Sequence, residues 1–322
     1  MQIFHISIFY ALTMACTSMM MAFDYPCIPS FSEVGLSGFA GFENFRGMAD
    51  GNVGDNNGAH FGAELVCPLP YLDMYKVGVQ LAGSVGAYDF AGRATTYHHK
   101  KAIQYQEFLT AGFFIYPSSF CPVGIGIVSD WMFNKNYGIY AQRPTIQQYR
   151  AKVSYFMTPN DEMGFWGSYD AKKTHKLYNY GFIKSKLTYR AIGQINLFWR
   201  HFFGCGVEST LWIGTPVRNR LNRIQSNRAG KYIVGAELTV PFFDSWAISG
   251  KACYMQPGTR KGRVGAREYV SNIAINLIYY MGGNPNIGKS VAWTPYIPIA
   301  DNSNFFVDVC TKSTNHVGRF KL

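Results

Sequence analysis

The stretch KSKLTYRAIGQINLFWRHF, Lys184 to Phe202, decides the reading of the fold. Lys184, Lys186, Thr188, Arg190, Gln194, Asn196 and Arg200 fall on one face, and Leu187, Tyr189, Ala191, Ile195, Leu197 and Trp199 fall on the other. Side chains of a strand point alternately to opposite sides, whereas a helix repeats every 3.6 residues, so this division is that of an extended chain with one wet and one greasy face. Its length also exceeds the roughly five or six residues usual in a soluble sheet.

The same alternation returns through the chain. Glu268, Asn272 and Asn276 oppose Tyr269, Ile273, Ile275, Leu277 and Tyr279, and Gln148, Arg150, Lys152 and Ser154 oppose Tyr149, Ala151, Val153 and Tyr155. About twelve such runs follow Val34, near 34–46, 58–67, 76–91, 102–116, 122–133, 144–157, 163–171, 182–202, 206–215, 230–241, 246–256 and 267–281. Short turns (CPLPYLD, YPSSFCP, TPNDE, HFFGCG, PFFDSW) change places with longer polar loops such as MADGNVGDNNG, RATTYHHKK, AKKTHKLYN and PVRNRLNRIQSN. A soluble sandwich has no reason to keep that order. The pattern predicts an all-β fold, a closed antiparallel transmembrane barrel of about 12 strands over residues 33–281, with long external loops and short periplasmic turns. A soluble sandwich or soluble barrel is the competing reading.

Composition agrees with this. Among 322 residues, 48% are hydrophobic and 16% aromatic but only 15% are charged, against about 25% charged in ordinary domains, which excludes a disordered chain. No apolar run of 18 residues follows the amino end, so a helical membrane protein is excluded. Rings cluster near the strand ends, at Phe113, Phe114 and Tyr116 and at Phe198, Trp199 and Phe202, as interfacial girdles would; good strand formers filling a core would cluster in the same way.

Ile3 to Thr13 form an apolar run of signal-peptide length, and cutting after Ala22 places a small residue before the break. Residues 1–22 are therefore expected to be a signal peptide, although Met1 and Gln2 lack the usual positive charge. A short periplasmic lead, 23–32, follows. After Met281 the alternation stops and Pro285, Pro295 and Pro298 intervene, so 282–322 is expected to be an irregular periplasmic tail. Beyond Cys16, the six cysteines Cys27, Cys67, Cys121, Cys205, Cys253 and Cys310 show no CxxC spacing, and no metal or cofactor is expected.

The runs GFENFRGMADGNVGDNNGAHFGAELVCPL and GVQLAGSVGAYDFAGR, with YIPIADNSNFFVD far downstream, resemble an uncharacterised bacterial family of exported outer-membrane barrel-like proteins, a domain of unknown function, over about residues 36–309. The resemblance implies an envelope location and a barrel. It brings no activity and no catalytic residues.

The alternation assigns candidate site residues. Arg150, Lys152, Lys184, Lys186 and Arg190 are expected on the lumen side, with more positive charge than partners, so that they attract anions. Arg200 with Glu208, and Lys251 with Glu237, are expected to pair across short turns. Arg218, Arg220 and Arg223 in one external loop, and Arg260, Lys261 and Arg263 in another, suit phosphate groups of outer-membrane lipid; nucleic acid is not an expected partner for an exported barrel. The net charge of +11 fits an anionic partner without choosing one.

The function expected is a passive channel or binding barrel favouring small anionic solutes. The alternative is a closed structural or adhesive barrel acting through its basic loops. An outer-membrane lipase is a more remote alternative, because His60, His98, His99, His175 and His201 stand in no nucleophile motif and no catalysis is expected. GNPNIGKS at 283–290 spells a phosphate loop, but the Pro-containing VAWTPYIP after it cannot form the helix such a loop requires.

Overall fold

The computed structural model describes residues 34–313, apart from 51–54, 73–74, 96–97, 118–120, 181–182, 218–228, 258–268 and 282–293. The expected signal peptide and lead lie outside the described residues. None of the described residues is in an α-helix.

Twelve strands close into an antiparallel barrel. In chain order they are β1 (Gly35–Arg46), β2 (Asn56–Pro68), β3 (Val77–Thr95), β4 (His98–Ile115), β5 (Val123–Lys135), β6 (Thr145–Thr158) and β7 (Asp161–Lys172). After a hairpin, β8 (Thr174–Tyr180) and β9 (Ile183–Ala191), the wall resumes with β10 (Gln194–Phe202), β11 (Glu208–Pro216), β12 (Gly230–Phe243), β13 (Trp246–Pro257) and β14 (Val270–Met281). β14 pairs with β1 from Leu36↔Met281 to Arg46↔Ser271, which closes the ring. Closure leaves no edge with unpaired backbone groups, the condition for a sheet to sit in hydrocarbon. β8, β9 and a final strand, β15 (Val307–Ser313), form a separate small sheet.

The outer face carries the apolar parity of each strand. Phe42, Phe61, Ile127, Phe165, Ile213 and Ile275 all stand exposed around the wall. An apolar belt of this extent on a soluble monomer would be anomalous, whereas it suits lipid tails. The inner parity is polar and buried: Ser37, Glu43, Gln80, Thr110, Asp130, Gln148 and Asn272 belong to it.

Three expectations are corrected. The run 182–202 is not one strand: Ile192 and Gly193 break it, β10 stays in the wall, and β9 leaves to pair with β8 and β15. The loops expected over RATTYHHKK and AKKTHKLYN are mostly strand, since β3 runs to Thr95 and β4 starts at His98, while β7 runs to Lys172 and β8 starts at Thr174. Residues 294–313 are not a tail apart from the barrel. Tyr296, Ile297, Ile299, Phe305, Phe306 and Val307 are buried inside it, because a segment this apolar cannot stay in water when an unfilled lumen is available. About eight strands make a barrel that its own side chains fill, so a twelve-strand wall leaves room for another segment.

The wall is shaped for that segment. Gly124 and Gly126 face inward on β5, and a Cβ on either would come within 2.6 Å of Tyr296, at its hydroxyl and at Cδ1 respectively. Tyr296 and Ile297 pack with Val66 of β2, Phe114 of β4 and Val128 of β5. Toward the long-loop rim, Phe305 and Val307 join Phe108, Met132 and Ile146 with Tyr178, Leu187 and Tyr189 of the small sheet in a dry cap. Phe306 joins Ile192, Trp212 and Met255 beside it.

Candidate functional site: the lumen and its inserted segment

The inner wall binds the backbone of residues 294–306 with side chains. Gln80 Nε2 donates to Ile297 O at 2.6 Å while its Oε1 accepts from Ile297 N at 3.2 Å. Arg150 Nη2 donates to Pro298 O at 2.7 Å, Ile299 N donates to Glu64 Oε1 at 3.3 Å, and Ala300 N donates to Thr110 Oγ1 at 3.0 Å. Tyr116 donates its hydroxyl to Thr294 O. A buried non-helical segment needs partners for its peptide groups, and here the wall's amides, hydroxyls and charges supply many of them in place of a neighbouring strand, while Asp301 O and Ile299 O are met within the segment.

The charges are arranged in pairs. Arg150 holds Asp130 through two contacts, Nε to Oδ2 at 2.6 Å and Nη2 to Oδ1 at 3.0 Å. Asp130 also accepts from Thr110 at 2.8 Å and Gln148 at 3.0 Å. Lys152 lies 3.1 Å from Glu162, with its ammonium over the rings of Phe198 and Tyr296. Arg190 lies 3.2 Å from Asp308 of β15. Charges this buried are tolerated only when such partners offset their desolvation.

The expected cation-rich face is therefore corrected. Arg150 and Lys152 do point into the lumen, but each meets a carboxylate. Arg190 sits in the small sheet, paired with Asp308. Lys184 and Lys186 are both on β9, off the wall, and Lys186 is exposed. The alternation gave the right parity but treated β9 as part of the barrel. Arg200 stands 3.2 Å from Glu208 and 2.5 Å from Glu162, and Lys251 stands 3.5 Å from Glu237 and 2.8 Å from Asp301. Each of these two cations thus bridges its cross-turn neighbour and one further carboxylate. Arg218, Arg220, Arg223, Arg260, Lys261 and Arg263 lie outside the described residues.

Sequence reasoning passed over Asp301, Asn302, Asn304 and Tyr296. Asn302 Nδ2 donates to Glu43 at 3.1 Å and to Gln106 at 2.9 Å, and Asn304 O accepts from Gln194 at 2.9 Å. The available signal was the composition of YIPIADNSNFFVD: aromatic and aliphatic ends around a small polar centre suit an interior position better than free solution.

Beside the inserted segment a chamber of about 590 Å³ remains. It reaches the short-turn rim at Lys76, Pro117 and Gly206 and extends inward to Tyr88, Trp166 and Ser303. Glu43, Glu64, Glu162, Glu208, Glu237 and Asp301 line it against Lys76, Arg150, Lys152, Arg200 and Lys251, so its charge is mixed, with no cationic surplus. Glu43 is held by neutral donors, Tyr88 at 2.6 Å, Asn302 and Asn272.

His60, Asn276 and Ser249 also meet in the chamber. His60 Nε2 donates to Asn276 Oδ1 at 2.6 Å, and Asn276 Nδ2 donates to Ser249 Oγ at 3.5 Å. A nucleophilic triad needs the hydroxyl on the histidine and the amide or carboxylate behind it. Here the asparagine stands between them, and His60 Nδ1 faces Glu43 at 3.8 Å instead. This order does not activate Ser249.

Solved structures share the fold. An outer membrane channel from Pseudomonas putida F1 superposes with a TM-score of 0.54 at 7% identity, covering 80% of this chain and 98% of that one. The Pseudomonas putida toluene transporter TodX gives 0.46 at 9% identity over 77% and 88% of the two chains. Outer membrane phospholipase A of Escherichia coli gives 0.41 at 7% over 76% and 95%. The first establishes an outer-membrane β-barrel fold. No functionally curated protein matches the chain in sequence. One family profile matches residues 32–307, taking in the barrel together with most of the lumen segment, and the chain belongs to that family, DUF6666, a family of unknown function.

Proposed function

We propose that this protein is a bacterial outer-membrane barrel that admits small polar solutes into a chamber at its short-turn rim and is closed at rest by its own residues 294–309. The observation that carries this reading is the chamber of about 590 Å³ left beside the inserted segment, a size suited to small ligands. Its far end meets the dry cap of Phe305, Val307, Leu187 and Tyr189, so solute that enters does not pass while the segment is seated.

The mixed charge of the chamber supports neutral or zwitterionic polar solutes over anions, because Arg150, Lys152, Arg200 and Lys251 each stand against carboxylates and set up no net positive field. The closed structural or adhesive barrel is the second reading. It is favoured by the many wall side chains that hold the segment's backbone between Thr294 and Asn304.

Planar-bilayer conductance separates the two. The full chain is expected to conduct little, and a chain ending at residue 293 to open steady channels with weak ion preference, once heat-dependent gel mobility shows that the shortened barrel folds. A folded, shortened barrel that stays silent would establish the closed structural reading. Equal conductance from both chains would show that the segment closes nothing.

A further inference from the structure

The lumen segment crosses the barrel as well as filling it, and strand β6 records the direction. β6 begins at Thr145 on the long-loop rim and ends at Thr158 on the short-turn rim. Ser154 Oγ is 2.7 Å from the Tyr296 hydroxyl, Lys152 donates to Tyr296 O at 3.3 Å, Arg150 to Pro298 O at 2.7 Å, and Gln148 to Asn304 O at 3.5 Å. Wall numbers fall while segment numbers rise, so the segment runs opposite to β6, away from the short turns. From Ser154 to Gln148 is ~20 Å of strand, most of the ~25 Å apolar band of such a barrel.

The path continues past the wall. Ile192 N donates to Phe306 O at 2.7 Å, and β15 then pairs with β9 from Val307↔Ala191 to Ser313↔Ser185. β9 descends toward β10 and the wall, so its antiparallel partner β15 climbs away from it. The start of the chain's described part is on the other rim: Leu36 of β1 faces Met281 of β14 beside the short turns.

We propose that the barrel conducts its own carboxyl end across the membrane, so that the chain on either side of the barrel domain lies on opposite faces and the residues beyond Ser313 are displayed with the long loops. This rests on the membrane reading above, but not on the chamber's role. It replaces a tail that stays on the short-turn side. What holds the crossing is the ordered series of wall contacts, with the Arg190–Asp308 pair fixing the exit.

The test places a short epitope after Leu322, a second between Gly204 and Cys205 in the β10–β11 turn, and a third between Arg223 and Ile224 in the β11–β12 connection, in three versions of the full chain. Antibody binding is compared in intact cells and in cells with a permeabilised outer membrane. The Leu322 epitope is expected to behave like the Arg223 epitope and opposite to the Gly204 epitope. If it partitions with the Gly204 epitope, the crossing is wrong while the membrane reading stands. If the Gly204 and Arg223 epitopes behave alike, the membrane reading itself fails and takes the proposal with it. Because an added epitope can obstruct the crossing, the untagged chain is also exposed to carboxypeptidase in intact cells and weighed. Loss of terminal residues from most chains is expected, and an untouched mass, with digestion only after permeabilisation, would overturn the proposal.

Discussion

β9 and β10 carry the same alternation and are separated by only two residues, yet their greasy faces meet opposite surroundings. On β10, Ile195, Leu197 and Trp199 are 55%, 39% and 41% exposed on the outer wall. On β9, Leu187, Tyr189 and Ala191 are at most 1% exposed and pack in the cap with Met132, Ile146 and Phe305. An apolar face is removed from water equally well by lipid or by protein, since the driving force is non-directional. Strand pairing makes the difference. β10 takes both places in the wall, against β7 and β11, which leaves β9 to find β8 and β15 over the mouth.

The comparison is most severely tested at the charge pair that ties β9 to the inserted segment. Asp308→Asn removes the carboxylate 3.2 Å from the buried Arg190 guanidinium and is expected to weaken the β9–β15 pairing by about 3 kcal/mol. Amide exchange at residues 183–191 and 307–313 should then accelerate while β10 keeps its protection. Equal acceleration in β10 would mean that the small sheet and the wall open as one unit.

Truncation of one leucine on each strand gives a sharper contrast. Leu187→Ala empties a site with no accessible surface and is expected to cost about 2–5 kcal/mol, whereas Leu197→Ala, facing outward, is expected to cost about 1 kcal/mol or less. Urea unfolding in detergent, followed by heat-dependent gel mobility and by amide exchange, checks both. The reverse ranking would place β9's apolar face outward and β10's inward.

The smallest effect is expected at Lys186. It is exposed on β9, so Lys186→Glu should leave both barrel stability and the ion preference of the channel opened by truncation at residue 293 unchanged. A reversal of ion preference would return Lys186 to the conduction path.

The sequence reached far into the wall because the wall is periodic. An inward–outward parity repeats through β1 to β7 and β10 to β14, and short turns punctuate it, so the strand count and the lumen residues Arg150, Lys152, Arg200 and Lys251 were all legible. The pairings of Arg200 with Glu208 and Lys251 with Glu237 were legible as well, because a short turn brings those strands together whatever else the fold does. The partners that come from afar were hidden: Asp301 on Lys251, Asp308 on Arg190, and Tyr296 under Lys152. Nothing in local spacing connects β13 with residue 301 or β6 with residue 296.

By itself, then, the sequence determined an all-β chain, a barrel of twelve strands, its polar interior and the short turns of one rim, since each follows from a period of two and from turn chemistry within a few residues. Only the tertiary structure decided that β9 leaves the wall, that residues 294–306 fill the lumen, and that the lumen cations are neutralised. The reason is common to all three. A twelve-strand ring encloses more volume than its own side chains can fill, and the segment that fills it is chosen by fit to the assembled interior, a surface that does not exist until the ring has closed.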